Sequence, residues 1–160
     1  PTGVNRCELT FTVIDDKAVM GRLQHQVMTA LAQAAAENRI PPAYAYLHAA
    51  TSWRYEYGVK LLFRTAPHAL LISAPPDAPC PDQDIALTLG YFDLLAQSAG
   101  LGTVWWGMLR MVLATAPELK AFFDLPADHH YFAMLFGLPA VQYPRTVQRD
   151  EAAQIKIIAK

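Results

Sequence analysis

Few of the residues that do chemistry in enzymes are grouped in this 160-residue sequence. Its five histidines show no His-x-x-x-His spacing, and the neighbours His129 and His130 would not converge easily on one metal, so no metal site is expected. Ser98 lies in Gln97-Ser98-Ala99-Gly100 rather than in the Gly-x-Ser-x-Gly turn that exposes a nucleophile. Cys80, in a proline-rich loop, is either a reactive thiol or a bystander. No pair of carboxylates stands out for acid–base work. Gly100-Leu101-Gly102 falls short of a dinucleotide loop, and no phosphate loop ending in Gly-Lys-Ser/Thr occurs. Such a chain is either not an enzyme or leaves its chemistry to a bound cofactor.

The elements that must position these residues follow from periodicity. Leu9, Phe11 and Val13 alternate with Glu8, Thr10 and Thr12, the period of a half-buried strand. Asp15 and Asp16 can cap a helix with apolar positions at Val19, Leu23, Val27 and Leu31, which Pro41-Pro42 stops. The aromatic stretch Ala43 to Arg64 reads as helix at both ends with a break near Gly58. His68 to Ala74 is an apolar run suited to a strand buried on both faces. Asp82 to Ala99 is helical but apolar almost all round, so it belongs inside a core or a subunit interface, and Gly100 ends it. Thr103 to Trp106 reads as a short strand. Thr115 and Glu118 form a capping box that opens a short helix ending at Leu125-Pro126. His130 to Phe136 is a further buried strand, and Gln154 to Ile158 is strand-like. Strands and helices mingle without strict alternation, which makes the class α+β.

Composition narrows the function classes. Lys+Arg 13 against Asp+Glu 14 gives a net charge of -1, which argues against nucleic-acid binding. Hydrophobic residues at 53% and charged residues at 17% exclude a disordered chain. Two cysteines, Cys7 and Cys80, cannot staple a small secreted scaffold. The longest uncharged stretch, Leu94 to Leu109, is too short and too interrupted to span a membrane. A soluble, cytoplasmic protein without membrane contact is expected.

Four segments in order carry a resemblance. Pro1-Thr-Gly-Val-Asn5 runs into the first strand. Leu62-Phe-Arg-Thr-Ala-Pro67 precedes the second. Asp84-Ile-Ala86 leads through the central helix to Gly100-Leu-Gly-Thr-Val-Trp-Trp-Gly107. Pro117-Glu-Leu-Lys120, Leu125-Pro126 and Leu135-Phe-Gly-Leu-Pro139 close the series. Together they span nearly the whole chain, and it resembles the nitroreductase family of FMN-dependent oxidoreductases.

The resemblance implies a central, mostly antiparallel sheet flanked by helices, in a homodimer with flavin at its interface. It implies that Asn5 reaches the pyrimidine edge of FMN and that Gly107 lets the backbone approach flavin N5. Trp106 would flank the ring, Arg145 or Arg149 would bind the phosphate, and Arg6 is a weaker phosphate or ring candidate. Trp53, Tyr55 and Tyr57 would belong to a variable lid over the flavin, and the tail at Ile155 to Ile158 would cross onto the partner. No side chain is expected to act as catalytic acid or base, because FMN carries the chemistry. NADH or NADPH, or a ferredoxin-type protein donor, would supply electrons for nitro-aromatics, quinones or similar flat acceptors in ping-pong fashion. The family's Arg-rich N-terminal segment has no counterpart, so residues 1–160 read as one domain, N-terminally incomplete, of a parent that could be ferredoxin-fused. A non-catalytic flavin-binding or dimer-scaffold module is the alternative.

Overall fold

The computed structural model describes residues 2–52, 61–141, 144, 154 and 156–158. Four strands form one sheet: β1 (Thr10–Ile14), β2 (His68–Ala74), β3 (Gly102–Trp105) and β4 (His130–Gly137), in the order β1-β2-β4-β3. Every neighbouring pair is antiparallel, with Thr10 opposite Ser73, Ser73 opposite Tyr131 and Trp105 opposite Met134. β2 coincides with the expected apolar run and is buried along nearly its full length.

Helix α1 (Lys17–Ala36) begins where Asp16 caps it: Asp16 Oδ1 accepts the N–H groups of Ala18 at 2.7 Å and Val19 at 2.9 Å. Those two bonds hold the Asp16 carboxyl below the usual carboxylate range. Met20, Leu23, Val27 and Leu31 bury one stripe against the sheet. The helix stops before the prolines expected to end it. Asn38 takes a left-handed conformation, φ 54°, while Arg39 N–H bonds Ala34 O at 2.8 Å and Asn38 N–H bonds Ala35 O at 3.1 Å. That pairing closes the helix end without proline. Helix α2 (Tyr46–Ser52) comes after a 3-10 turn at Pro42–Tyr44.

Helix α3 (Pro81–Ser98) packs Ile85 and Leu89 with Leu70, Ile72 and Met134 on one face of the sheet. Only half of its apolar surface is used there. Leu87, Tyr91, Leu94 and Leu95 point away from the sheet and are 61–75% exposed in the single chain. Gly100, at φ 77°, ends the helix while Leu101 N–H bonds Ala96 O at 2.9 Å. Helix α4 (Met108–Thr115), which has no strong sequence signal, buries Leu109, Val112 and Leu113 beside α1 on the other face.

Three expectations are corrected. Thr115 is the last residue of α4, and its hydroxyl donates back to Met111 O at 2.9 Å instead of capping a new helix. The segment after it is a 3-10 helix, Pro117–Phe123, with Ala116 before it and no side-chain cap. Phe11 and Val13 lie on the α3 side of β1, but α3 packs over β2, β4 and β3 and leaves this edge strand uncovered, so both are 54% exposed. Lys156–Ile158 carry no strand: Ile157 and Ile158 are exposed and nothing pairs with them among the described residues.

Candidate functional site at one end of the sheet

β1 and β4 begin, and β2 and β3 end, at the same end of the sheet. The topology therefore brings together the loop before β1, the loop after β2, the start of β4 and the Trp106-Gly107 exit of β3. Asn5 and Gly107, remote in sequence, both lie at this end, each beside one of the two edge strands.

The N-terminal loop turns in a 3-10 helix over Gly3–Asn5. Asn5 N–H bonds Thr2 O at 2.9 Å and Cys7 N–H bonds Thr2 Oγ1 at 2.9 Å. Val4, Asn5 and Cys7 all have positive φ, at 45°, 58° and 56°. The Asn5 side chain is exposed, and its Oδ1 lies 3.8 Å from the Cys7 thiol, which can donate to it. Gly3 N–H bonds both carboxylate oxygens of Asp84, each at 2.9 Å, which ties the loop to the first turn of α3.

Gly107 is exposed and stands at the start of α4, where no side chain caps the helix and no acidic residue occupies the first turn. The helix thus presents an uncompensated positive end beside the glycine. A Cβ placed on Gly107 would meet nothing closer than Phe132 Cζ at 3.7 Å, so the space above its backbone is open.

Two expected ligand residues are otherwise engaged. Trp106 is 2% exposed; its indole N–H donates to Leu62 O at 2.8 Å and its ring lies 5.0 Å from Phe63. Strand alternation is the reason: Trp105 faces the α3 side and the open end, against Phe132, whereas Trp106 turns into the core. Trp106 is therefore a core side chain beneath this end of the sheet. Arg6 spends its guanidinium on carboxylates, with Nη2 2.6 Å from Glu8 and 3.9 Å from Asp77, and Nη1 donating to Asp77 O at 3.4 Å. Two carboxylates beside it oppose a phosphate there. Arg145, Arg149, Trp53, Tyr55 and Tyr57 lie outside the described residues.

Other residues gather at this end that the sequence does not mark as site residues. Asp82 bonds His130 Nδ1 at 3.0 Å, joining α3 to β4. Thr2, Cys7, Leu9, Phe11, Leu87 and Tyr91 line an open, mainly apolar groove of about 450 Å³ between β1 and α3. The alternation of Leu9, Phe11 and Val13 was its trace in the sequence, although alternation alone does not distinguish a groove wall from core. Tyr131, half-buried at the start of β4, has its phenol pushed up by burial, partly offset by the charge of Arg110. Among the described residues no group of His, Cys, Asp and Glu is placed to hold a metal.

An exposed glycine at the start of an uncapped helix, an amide-bearing loop and an open apolar groove thus share one end of an antiparallel sheet flanked by helices. The chain belongs to the nitroreductase family, whose family model matches residues 1–138. No curated protein matches it by sequence. Among solved structures it is similar to a nitroreductase with bound FMN from Bacteroides fragilis, with a TM-score of 0.72 at 19% identity over 99% of this chain and 80% of that one. An FMN-dependent nitroreductase from Mycobacterium smegmatis, in complex with NADPH, gives 0.59 at 17% identity over 92% and 78%. An oxidized iodotyrosine deiodinase bound to FMN and 3-iodo-L-tyrosine gives 0.53 at 20% over 97% and 81%. These likenesses establish the α+β fold with its antiparallel sheet and flanking helices.

Proposed function

We propose that the protein is an FMN-dependent oxidoreductase that reduces nitro-aromatics, quinones or similar flat acceptors with NADH or NADPH. The observation that carries this reading is Gly107, an exposed glycine with open space above its backbone, set where α4 presents its uncapped end. The edge strands β1 and β3 lie three strand spacings apart, roughly 14 Å. FMN with its pyrimidine edge toward the Asn5 loop would lie between these two edges. FMN, when bound, would take a hydride from the nicotinamide and return electrons to an acceptor at the same face, giving ping-pong kinetics.

The chain's own residues do the rest. Asn5 offers an exposed amide, donor and acceptor together, to the pyrimidine edge. The end of α4 favours the electron-rich ring through its dipole. Gly107 keeps the reacting face clear of a side chain. Arg145 and Arg149 are the proposed phosphate ligands, with Trp53, Tyr55 and Tyr57 as lid residues over a flat acceptor. The exposed stripe of α3, together with the groove beside β1, is a face for a second copy of the chain, and covering it would remove water from the ring. Among the described residues no helix is long and apolar enough to cross a membrane. A cytoplasmic location, where nicotinamide donors are supplied, accords with the reading. Electron supply from a ferredoxin-type protein is the variant in which nicotinamide plays no part.

A second reading, a non-catalytic flavin-binding or dimer-scaffold module, is favoured by Arg6. Its pairing with Glu8 and Asp77 withdraws the one cation of the N-terminal loop from a phosphate. One experiment separates the two. Protein reconstituted with FMN should be yellow and should bleach anaerobically on addition of NADH or NADPH, with colour restored by a nitro-aromatic or quinone. Colour that neither nicotinamide nor reduced ferredoxin bleaches favours the non-catalytic module, and protein that takes up no FMN sinks the enzyme and the flavin-binding module alike.

A further inference from the structure

Asp84 is a carboxylate in an unusual position. It is 7% exposed, and no Lys, Arg or His pairs with it among the described residues. An aspartate in the first turn of a helix gains from the dipole while still in water, so α3 by itself does not call for burying this one. Its oxygens are instead both directed at Gly3 N–H, at 2.9 Å each, across a sequence separation of 81. Gly3 also fits closely against the residue before α3: a Cβ there would come within 3.2 Å of Cys80 Cβ and 3.3 Å of Cys80 Sγ.

The loop so anchored does not hold its shape by preference. Val4 is β-branched and exposed, yet sits at φ 45°, ψ 24°, and Asn5 and Cys7 are left-handed as well. Non-glycine residues in that region persist only where the surroundings over-determine them. The loop's internal bonds define the turn but do not attach it to the body of the protein. Asp84 attaches one end, and the surface pairing of Arg6 with Asp77 attaches the other. Surface ion pairs contribute little, so the part-buried bond to the Asp84 carboxylate is the stronger tether.

We propose that Asp84 is a positioning residue: its carboxylate holds Gly3, fixes the strained turn and thereby presents the Asn5 amide to the flavin. The role of Asn5 rests on the FMN reading above; the tether itself does not.

The test uses the full chain and two readouts. Hydrogen exchange without FMN reports the tether, and FMN titration followed by flavin fluorescence reports its consequence. Asp84→Asn preserves the side chain's shape but replaces one acceptor oxygen by an NH₂ group. Exchange over Gly3 to Cys7 should quicken, and FMN affinity should fall about tenfold, the size of a bond to a charged group. In an Asn5→Ala background the Asp84→Asn loss of affinity should largely vanish, because the two residues act through one contact. Should Asp84→Asn not fold, the Gly3 amide of the wild-type protein, measured by NMR, should still exchange far more slowly than in a free peptide. A free-peptide rate, unchanged exchange in Asp84→Asn, or affinity losses that add fully with Asn5→Ala would overturn the proposal. Wild-type protein that takes up no FMN removes the FMN reading and the proposal with it. FMN binding unaltered by Asp84→Asn overturns the proposal alone.

Discussion

The indole N–H of Trp106 donates to the carbonyl of Leu62 at 2.8 Å, tying the exit of β3 to the segment that leads into β2. Both residues are buried, so the bond has no water to replace it. Trp106→Phe keeps most of the ring and leaves the Leu62 carbonyl unpaired. It should lower unfolding free energy by about 1–3 kcal/mol in a denaturant titration. FMN affinity should change much less than stability; a large loss of affinity at unaltered stability would return Trp106 to the ring's edge.

Gly107→Ala separates folding from function in the opposite sense. Its backbone is right-handed, φ -61°, and an added Cβ would sit 3.7 Å from Phe132 Cζ. No strain or clash attends the change, so the melting temperature should hold. The methyl group occupies the space proposed for the flavin's reacting edge, and FMN affinity or its rate of reduction by NADPH should drop about tenfold or more, ~1.4 kcal/mol. Unchanged reduction kinetics would move the site elsewhere.

Tyr91→Glu and Leu94→Glu place charges on the part of α3 that the single chain leaves open. Neither touches the packing of Ile85 and Leu89 on the sheet, so secondary structure should persist by circular dichroism. Mass in solution should fall from dimer to monomer. A wild-type protein that is already monomeric would contradict the second-copy reading of this face.

Asp16 supplies a pH-dependent contribution whose sign is fixed by its bonds. The Ala18 and Val19 N–H groups lower its folded-state pKa. Its stabilisation is therefore complete above the ordinary aspartate pKa and is lost as pH falls through the lower folded value. Asp16→Ala should melt below the wild type at pH 7, and the gap should narrow toward pH 3. Asp16→Asn, which still caps, should sit closer to the wild type at pH 7.

Much of the scaffold was legible because local signals and burial agree there. The apolar run His68 to Ala74 is β2, the Asp16 cap opens α1, and Gly100 closes α3. Signals failed where two local chemistries compete. Thr115 has the spacing of a cap, but a threonine already in a helix finds its i−4 carbonyl first. Asn38, not Pro41, stops α1, because a left-handed asparagine satisfies the helix end sooner. At the candidate site, the roles expected of Asn5 and Gly107 came from the family resemblance alone, and the sequence around Arg6, the weaker phosphate or ring candidate, does not announce that its guanidinium lies beside Glu8 and Asp77. The Trp105-Trp106 pair shows how little separates the alternatives: one step along a strand exchanges core for surface. Asp84 drew notice only as part of a motif, since nothing in its local sequence announces a partner 81 residues away.

The strand order β1-β2-β4-β3 has a kinetic consequence. The middle pair, β2 and β4, joins segments on either side of α3, β3 and α4, and β1 reaches β2 only across α1 and α2. No hairpin nucleates this sheet, so folding must await long loop closures and should be slow for the chain's size. Asn5, Asp84, Gly107 and His130 reach the same end of the sheet only as those closures complete. A chain stalled with a partial sheet therefore lacks this end of the molecule, and whatever binds between these four strand ends selects the fully folded protein.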